Sequence, residues 1–431
     1  MNIVEEREED MKTYPCGFDF GHTETGAVVV VKGKQLRCTI PTAFFRVDTT
    51  ALKNIGTAEG IEEREGKAKG KAKAKTAESL PPQMDEQAIP PALEPDQVII
   101  QLQGESMAYA FGNYALEQTK DPWTGRGDHM RYASSYAVRG LLAISALMQN
   151  DREYGLYVVT GIPADYYFRF PELRKHIKAK LDGTYTFTLD GETWRTAHVE
   201  VATVVMEGAG ALIAYPDLDT TKEAAVIDIG GGTTDLYAQN GAKPLDKYCK
   251  GDHIAVQNAT NILKKAFTQK YKRDLTDKEA RDIMRAFASG KKDHFPHISA
   301  FGTPVPVTDL QTMVEEAVET IAEDIVGFIG ATWQDAIARF TPILLIGGGT
   351  FYFYHAVRNR IEHVVQHPDP VFANPIGYAT LAARKLRKRM EEVAAAEKAK
   401  VVVVESGLVV LEIGAGADRQ EVEAGVASQE Q

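Results

Sequence analysis

Three consecutive glycines at 230–232 constrain the fold of this chain more than any other feature of its sequence. An apolar run ending in Asp228 leads into them, and Thr233 and Thr234 follow. Glycine adopts positive φ without a Cβ clash and allows backbone N–H groups to close around anionic oxygens. The pattern therefore predicts a phosphate-binding β-hairpin, with Asp228 at the end of its first strand placed to hold Mg²⁺ through water molecules.

The segment from Gly17 to Gly26 has the same layout much earlier in the chain. Asp19 ends an apolar stretch, and a glycine, Gly21, and two threonines follow it. Two such hairpins can face each other and clamp one polyphosphate from opposite sides. Asp19 and Asp228 would then flank a single Mg²⁺.

Glu207 lies where a predicted strand gives way to the small residues 208–211. A carboxylate at such a junction could orient and deprotonate a water molecule for in-line attack on a γ-phosphate. Alternatively, Glu207 simply begins a helix, where the helix dipole favours an acid. Of the two roles, activation of water is the favoured interpretation of Glu207.

Two further motifs occur in the last third of the chain. The apolar run 343–346 predicts a buried strand that leads into the glycines 347–349, where backbone can lie flat against a nucleoside and a helix N-terminus can face phosphates. In the segment 372–378, Asn374 is predicted to cap the following helix, with Pro375 at its first position.

Composition excludes several classes of protein. The 431 residues are 44% hydrophobic and 25% charged, which is an ordinary globular composition with room for two domains. The formal net charge of −11 argues against broad nucleic-acid binding, although not against a local basic patch. The three cysteines lack CxxC spacing, so neither a disulfide framework nor a zinc site is predicted. The acidic N-terminus does not resemble a signal peptide, and the apolar runs are too short for a membrane helix, so we expect a cytoplasmic protein.

Between the motifs, the chain alternates predicted strands and helices, which indicates an α/β architecture. Strands are expected at 28–31, 98–102, 156–159, 185–189, 194–201 and 343–346, and helices at 132–148, 253–271 and 311–338. The pair Asp190–Gly191 favours a type I′ turn between the fourth and fifth of these strands.

Two segments differ in composition from the rest. Residues 56–96 are rich in lysine and proline and poor in large apolar residues, which favours a disordered insertion or a long flexible loop. Its lysine run, 67–75, could contact DNA or an acidic partner, or serve only as a solvated linker. Within the tail after Met390, residues 401–411 predict a short β-hairpin that packs on the body or on a partner.

A phosphate hairpin, an acid, a second phosphate hairpin, a glycine motif and a closing helix thus follow one another over residues 14–390. This order resembles the actin-like ATPases, which share a fold with sugar kinases and heat-shock chaperones. Within that superfamily the chain is most similar to the ParM/StbA plasmid-segregation branch, on the motifs 159–163, 207–211, 228–235 and 372–378. The resemblance implies a bilobed α/β fold, in which two ribonuclease-H-like domains close on Mg·ATP, and filament assembly coupled to hydrolysis of ATP to ADP.

The resemblance also implies roles for individual residues. Asp19 and Asp228 match acids associated with metal and phosphate, and Glu207 matches the acid that activates water, so Glu207 and Asp228 are the expected catalytic residues. Gly251 and Asp252 lie where the family often reaches the ribose. The other nucleotide contacts are expected from Gly21, His22, Thr23, Thr25, Gly230, Gly231, Gly232, Thr233, Thr234, Gly347, Gly348, Gly349 and Thr350.

The same resemblance suggests how the chain is organised and what it contacts. We expect an N-terminal extension (1–13), lobe I (14–205), lobe II (206–375), a closing helix that returns to lobe I (376–390), and a partly disordered tail (391–431). The implied partners are other copies of the chain, in a homopolymeric filament, and a small DNA-binding adaptor protein, with no membrane.

Two other functions fit the same fold. A small-molecule kinase would need a carboxylate base for a substrate hydroxyl, and no Asn-Asp type base motif lies beside the predicted cleft. The cysteine and histidine spacing of the zinc site in some sugar kinases is also absent. A nucleotide-binding scaffold without hydrolysis would not need the acids Asp19, Glu207 and Asp228, whose presence argues against it.

Overall fold

The computed structural model describes residues 11–48, 92–125, 127–216 and 218–405, with side chains through residue 396. Within these ranges the chain alternates strands and helices, as predicted. The lysine run 67–75 lies outside the described residues.

The strands are β1 (Thr13–Phe20), β2 (Glu24–Val31), β3 (Lys34–Pro41), β4 (Phe44–Val47), β5 (Val98–Leu102), β6 (Ala108–Phe111), β7 (Glu153–Ile162), β8 (Gly183–Thr188), β9 (Arg195–Met206), β10 (Glu223–Ile229), β11 (Thr234–Asn240), β12 (Lys243–Pro244), β13 (Lys250–Asp252), β14 (Ser299–Ala300), β15 (Thr303–Pro304), β16 (Ile343–Ile346) and β17 (Val364–Gln366). The α-helices are α1 (Asn113–Gln118), α2 (Ser135–Leu147), α3 (Ala164–Arg169), α4 (Leu173–Leu181), α5 (Ala209–Ala214), α6 (Val256–Tyr271), α7 (Asp277–Ala288), α8 (Val307–Trp333), α9 (Thr350–Arg360) and α10 (Ala373–Glu405), and short 3₁₀ helices lie at His129–Ala133, Asp246–Tyr248, Lys292–His294 and Gln334–Arg339.

Two sheets organise these elements. The larger has the order β3-β2-β1-β7-β9-β8-β5-β6-β4, and the smaller has the order β12-β11-β10-β16-β17, with β13 pairing to β11. In the first sheet β1 runs antiparallel to β2 and parallel to β7, and in the second β10 runs antiparallel to β11 and parallel to β16. The two sheets therefore repeat one local topology. We call the larger sheet with its helices lobe I and the smaller sheet with its helices lobe II.

Each lobe buries its own apolar core. In lobe I, Phe18 and Phe20 of β1 pack with Phe44 and with residues of α2 and α4. In lobe II, β10 and β16 pack with α6, α7, α8 and α9 around Trp333. Burial of such large side chains contributes roughly 1.5–3 kcal/mol each, so each core holds its sheet and helices together as one rigid support.

Helix α10 contacts lobe I. Tyr378 and Ala382 pack against Tyr157 and Val159 of β7. The hydroxyl of Tyr378 lies so close to β7 that a Cβ at Gly161 would approach it to 2.0 Å. The chain up to Leu386 forms one compact unit, and a second unit begins at Arg387, within α10.

Most of the predicted elements are confirmed, and two local predictions are wrong. The strands 185–189 and 194–201 pair antiparallel as β8 and β9, but a longer loop, 189–194, joins them instead of a two-residue turn. Asp190 shapes this loop, because its Oδ1 accepts from the backbone N–H groups of Glu192 and Thr193 at 2.8 and 2.7 Å. The predicted hairpin at 401–411 is also wrong over 401–405, which are helical, and its remainder lies outside the described residues.

The end of the predicted insertion contacts lobe I. Residues 56–91 lie outside the described part of the chain. At its end, Leu93 pairs with β3, since its N–H donates to the Arg37 carbonyl at 2.9 Å and its carbonyl accepts from the Thr39 N–H at 3.0 Å. Among the described helices, none is both long and apolar enough to cross a membrane.

Candidate functional site

The two predicted glycine hairpins form, and they have the same register. Phe20 pairs with Thr25 at the end of the β1–β2 hairpin, and Ile229 pairs with Thr234 at the end of the β10–β11 hairpin. Asp19 and Asp228 each lie one residue before the last pair of their hairpin. Because each hairpin occupies the same place in its sheet, the two acids are equivalent positions of the two lobes.

The two turns touch each other. A Cβ on Gly231 would lie 1.8 Å from Oγ1 of Thr23, and a Cβ on Gly232 would lie 2.6 Å from Cβ of His22. The glycines at 230–232 have no positive φ, so the predicted conformational reason for them is wrong. Glycine is required here because any side chain would fill the space in which the opposite turn lies.

A cavity of about 520 Å³ lies where the turns meet. It extends from the two glycine turns to α6, α7 and α9. The predicted site residues that line it are Asp19, Gly21, His22, Thr23, Glu207, Asp228, Gly230, Gly231, Gly232, Thr233, Gly347 and Gly348. The structure therefore brings together residues from both hairpins, from the end of β9 and from the turn after β16.

Four other predicted residues lie beside the cavity and support its walls. Thr25 is buried, with its Oγ1 2.8 Å from Oγ1 of Thr42, and the Thr234 hydroxyl donates to the Ile254 carbonyl at 2.6 Å. A Cβ on Gly349 would meet Ile229 at 2.2 Å, so this glycine allows the turn to pack on β10. Thr350 is fully buried at the start of α9.

Gly251 and Asp252 lie on β13, outside the cavity lining. They pair with Asp235 and Thr234 of β11, and a Cβ on Gly251 would lie 2.6 Å from Oδ1 of Asp235. The side chain of Asp252 accepts from the N–H of His253 at 2.7 Å. Gly251 and Asp252 therefore lie beside the first residues of β11, in the second hairpin.

Glu207 is held at the floor of the cavity. It follows β9 directly, and its backbone N–H donates to the Ile162 carbonyl at 2.9 Å. Burial raises the pKa of its carboxyl well above the usual range, and the neighbouring carboxylates of Asp235, Asp19 and Asp228 raise it further. Arg131 opposes this shift.

The other acids are perturbed in the same direction. Burial is the largest influence on each pKa: it raises the pKa of Asp19 to about 6 and that of Asp235 to about 7. Burial and the charges of Asp19 and Asp235 raise the pKa of Asp228. Four carboxyls thus share one region, with Glu207 and Asp235 buried and Asp19 and Asp228 half-buried, and a bound cation would relieve their mutual repulsion.

The carboxyl cluster is chemically suited to Mg²⁺. Carboxylate oxygens are the hard ligands that Mg²⁺ prefers, and the ion usually keeps several water molecules. Within the described residues, no group of three or more Asp, Glu, His or Cys side chains is arranged to hold a metal ion alone. Asp19 and Asp228 could therefore supply the protein ligands, with water and phosphate oxygens completing the set.

Asn374 links the closing helix to the second hairpin. Its Oδ1 accepts from the Gly208 N–H at 3.0 Å, and its Nδ2 donates to Oδ2 of Asp228 at 2.7 Å. The prediction that Asn374 caps its own helix is wrong, because α10 begins at Ala373 and the side chain points to other elements. Asn374 instead fixes the position of Asp228 relative to the turn that carries Glu207.

Sequence reasoning missed the basic residues around the cavity. Arg281 and Arg285 of α7 line it, four residues apart on one helical face. The signal for α7 was present, since Thr276 and Glu279 form a capping box before an amphipathic run. Arg131 lies in a 3₁₀ helix outside any periodic pattern, and nothing in the sequence marks it.

Helix α7 also connects the two lobes, at the far side of the cavity. Arg285 pairs with Glu24 at 3.1 Å, and the guanidinium of Arg281 donates to Asn113 at 2.6 Å. Lys278 pairs with Glu117 of α1 at 2.9 Å. The cavity is therefore bounded by contacts between the lobes at both ends.

Two models of known protein families match this chain, one in each half. Residues 17–210 match the model for the N-terminal domain of actin-like proteins, and residues 226–359 match the model for the C-terminal domain of the archaeal actin homologue MreB-like family. No curated protein sequence matches the chain.

Several solved structures share the fold. The archaeal actin homologue Ta0583 superposes with a TM-score of 0.63 at 19% identity, over 87% of this chain and 100% of that one. A 15-stranded ParM filament from Clostridium botulinum gives a TM-score of 0.62 at 18% identity, over 87% and 100% of the two chains. The actin-like protein Alp7A gives 0.62 at 17% identity, over 89% and 99%. These structures show that the chain has the actin-like fold, and the two family models, which match residues 17–210 and 226–359, show that the chain belongs to the actin-like proteins.

Proposed function

We propose that this protein binds and hydrolyses ATP and that nucleotide controls its assembly into filaments. The observation that carries the proposal is the cavity between the two glycine turns, with Asp19, Asp228 and Glu207 in its wall. Its volume of about 520 Å³ lies within the usual range for sites that enclose a small ligand. The two turns lie against each other and have no side chains at their glycines, so their backbone N–H groups can approach a polyphosphate from opposite sides.

In this proposal each part of the cavity has a task. Glycines of both turns bind the β- and γ-phosphates, and Gly347 and Gly348 contact the nucleoside. Asp19 and Asp228 hold Mg²⁺, which when bound would neutralise charge on the phosphate oxygens. The archaeal actin homologue Ta0583 has also been solved in complex with ADP, and that structure, at 18% identity, supports a nucleotide as the ligand.

Glu207 is the proposed general base. It lies in the same cavity as both phosphate turns, and its backbone is fixed by the bond to Ile162. A carboxylate can orient a water molecule and accept its proton as the water attacks the γ-phosphate. Burial and the neighbouring carboxylates raise the pKa of Glu207, which makes its carboxylate a stronger proton acceptor than an exposed glutamate.

The variant Glu207→Gln tests the hydrolytic part of the proposal. We expect phosphate release to fall by about 10²–10⁴-fold, because glutamine cannot accept the proton, while ATP affinity changes little. Glu319→Gln, an exposed acid on α8, is the matched control and should hydrolyse ATP at the normal rate. Normal turnover by Glu207→Gln would contradict the assignment.

Filament formation is tested by sedimentation and light scattering with ATP, with ADP and without nucleotide. Self-assembly with ATP should show a critical concentration, and hydrolysis should weaken the polymer. The solved ParM filament shares the fold at 18% identity, which motivates this part of the proposal. Absence of sedimentable material under every condition would contradict it.

The same measurements separate the alternatives. A nucleotide-binding scaffold would bind ATP without phosphate release, and a small-molecule kinase would transfer phosphate only to an added acceptor.

For the cargo we propose plasmid DNA, held through a small DNA-binding adaptor. Filaments of this acidic chain alone should therefore fail to cosediment with DNA.

A further inference from the structure

Arg131 is an arginine that is completely buried beneath the first glycine turn, with 0% of its surface exposed. Its Nη2 donates to the Gly21 carbonyl at 2.7 Å, and its guanidinium lies 4.7 Å from the centre of the Phe20 ring. Its Nε and Nη1 have no hydrogen-bond partner among the described residues. Burial of a cation with two unbonded nitrogens costs free energy, so packing alone does not explain an arginine here.

The bond to Gly21 fixes the orientation of one peptide group. The Gly21 carbonyl accepts from Arg131 and also from the Thr42 hydroxyl, at 2.8 Å. In a trans peptide the carbonyl and the next N–H point in opposite directions. Gly21, His22 and Thr42 line the cavity, whereas Arg131 does not. Because both donors are buried side chains, the carbonyl points into the protein and not toward the open space of the cavity.

Peptide orientation decides whether this turn attracts or repels an anion. A carbonyl that faced the cavity would present a partial negative charge to a phosphate, whereas an N–H presents a donor. We infer that Arg131 is a positioning residue that holds the Gly21–His22 peptide in the orientation needed to bind the nucleotide phosphates. This inference rests on the proposed nucleotide-binding function and names a residue, outside the cavity wall, on which phosphate affinity depends.

Electrostatics at the site agrees with this arrangement. The positive charge of Arg131 lowers the pKa of Asp19 and of Glu207, against the effect of burial. The buried guanidinium thus compensates part of the negative charge of the site while its hydrogen bond orders the turn. A neutral side chain of similar volume would provide neither effect.

The alternative is that Arg131 only packs against Phe20 and Tyr132. The two roles predict opposite results for Arg131→Met. Replacement of a buried charge by an apolar side chain of similar size is often neutral or stabilising. A positioning role therefore predicts that the Met variant keeps its melting temperature without nucleotide and loses nucleotide affinity. A packing role predicts a lower melting temperature and normal affinity.

The experiment compares full-length wild type, Arg131→Met and Arg131→Lys. Calorimetric titration gives the dissociation constant for ADP, and thermal unfolding without nucleotide gives the melting temperature. We expect ADP affinity to fall about tenfold to a hundredfold in Arg131→Met, the size expected for loss of a charged hydrogen bond. Arg131→Lys keeps the charge and should lie between the other two.

Arg139→Met is the matched control. Arg139 is also a buried arginine of lobe I, with its guanidinium 4.2 Å from the Tyr109 ring centre, but it pairs with Glu105 at 2.5 Å outside the cavity. Loss of this pair should lower the melting temperature and leave the affinity of the folded protein for ADP unchanged. The control therefore shows the effect of an arginine that is only structural.

Each outcome is decisive. Equal ADP affinities for wild type and Arg131→Met would overturn the inference while leaving the proposed function intact. If Arg131→Met does not fold, Arg131→Lys decides by the same comparison. If neither variant folds, Arg131 is a structural residue and the inference is overturned. Failure of wild type to bind ADP would overturn the proposed function itself and, with it, this inference.

Discussion

The two glycine turns have one geometry but are held in place by different means. In lobe I one backbone bond holds the turn, from the Thr42 N–H to the Thr23 carbonyl at 2.8 Å, and two side chains add to it, since Thr42 and Arg131 both donate to the Gly21 carbonyl. In lobe II the turn is held by backbone, since the Gly231 carbonyl accepts from the N–H of Gln257 at 2.9 Å, in the first turn of α6. The Gly230 N–H also donates to the Thr233 carbonyl at 2.9 Å.

This difference indicates which substitutions should disturb each turn. Backbone donors remain when a side chain changes, so substitution of its neighbours should leave the lobe II turn in its position, whereas substitution of its own glycines should not. The lobe I turn depends on particular side chains that lie far away in the sequence. A single substitution outside the motif can therefore disturb the first turn, as proposed for Arg131.

The largest effect is expected for Gly231→Ala. Its Cβ would lie 1.8 Å from Oγ1 of Thr23 and 2.3 Å from its Cγ2, so the two turns must separate. We expect ADP binding to weaken by at least about a hundredfold, because a phosphate clamp depends on close positioning from both sides. Calorimetric titration with ADP measures this loss.

The second-site change Thr23→Gly tests the cause of that loss. It removes every atom that the new Cβ would meet most closely, so the double variant should bind ADP more tightly than Gly231→Ala alone. Gly330→Ala, on α8 with open space around its Cβ, is the control and should bind normally. Unchanged binding by Gly231→Ala would mean that the turns do not need their close contact.

Sequence reasoning identified the turns themselves but not what holds them. The two hairpins, and the places of Asp19, Asp228 and Glu207 at strand ends, follow from local patterns of apolar, acidic and glycine residues. The reason for the glycines at 231 and 232 is a contact with the other lobe, which no local pattern contains. Prediction from conformational preference therefore assigned them positive φ, and it was wrong.

Long-range side-chain contacts account for the other failures. Asn374 followed by Pro375 matches the local pattern of a helix start, but the partners of Asn374 are Gly208 and Asp228. Arg131 bonds to a residue 110 positions earlier in the chain. One sequence shows which residues prefer turns and caps, but it does not show which of them meet after folding.

The hairpins also differ at equivalent positions of their second strands. Gly26 pairs with Asp19, whereas Asp235 pairs with Asp228 and accepts from the Ala164 N–H at 2.9 Å. A Cβ on Gly26 would lie 3.6 Å from Pro375, so this position packs against α10. The second hairpin therefore carries one more buried acid than the first.

This acid predicts an unusual pH dependence of stability. Burial raises the pKa of Asp235 from 3.8 to about 7, so the folded state binds more protons than the unfolded state between these values. The free energy of unfolding without nucleotide therefore falls as pH rises through this window. At about 1.4 kcal/mol per pKa unit, Asp235 contributes a loss of roughly 2 kcal/mol between pH 5 and pH 7.

Asp235→Asn isolates this contribution. Asparagine keeps an oxygen that can accept from Ala164 but does not titrate, so the stability of the variant should fall less between pH 5 and pH 7 than that of wild type. Denaturant unfolding at the two pH values measures the difference. Equal pH dependence for both proteins would show that the Asp235 pKa is not raised.

The smallest expected effect compares Thr25 and Thr234, the same position in the two hairpins. Both hydroxyls are buried, but Thr234 is a donor to the Ile254 carbonyl, whereas Thr25 shares its bond with the Thr42 hydroxyl. Thr234→Val would leave a backbone carbonyl without its donor, at a cost of about 1–3 kcal/mol. Thr25→Val should cost about 1 kcal/mol, because Thr42 still donates to Gly21.

Denaturant unfolding of the two variants therefore measures how the turns differ. A larger loss of stability in Thr234→Val is expected because the Ile254 carbonyl would lose its donor, while the backbone bonds should keep the lobe II turn in position. Thr25→Val should instead affect ADP affinity more than Thr234→Val does, because it loosens Thr42 and so one of the two donors to Gly21. The reverse order in either measurement would mean that side chains and backbone do not divide the support of the two turns in this way.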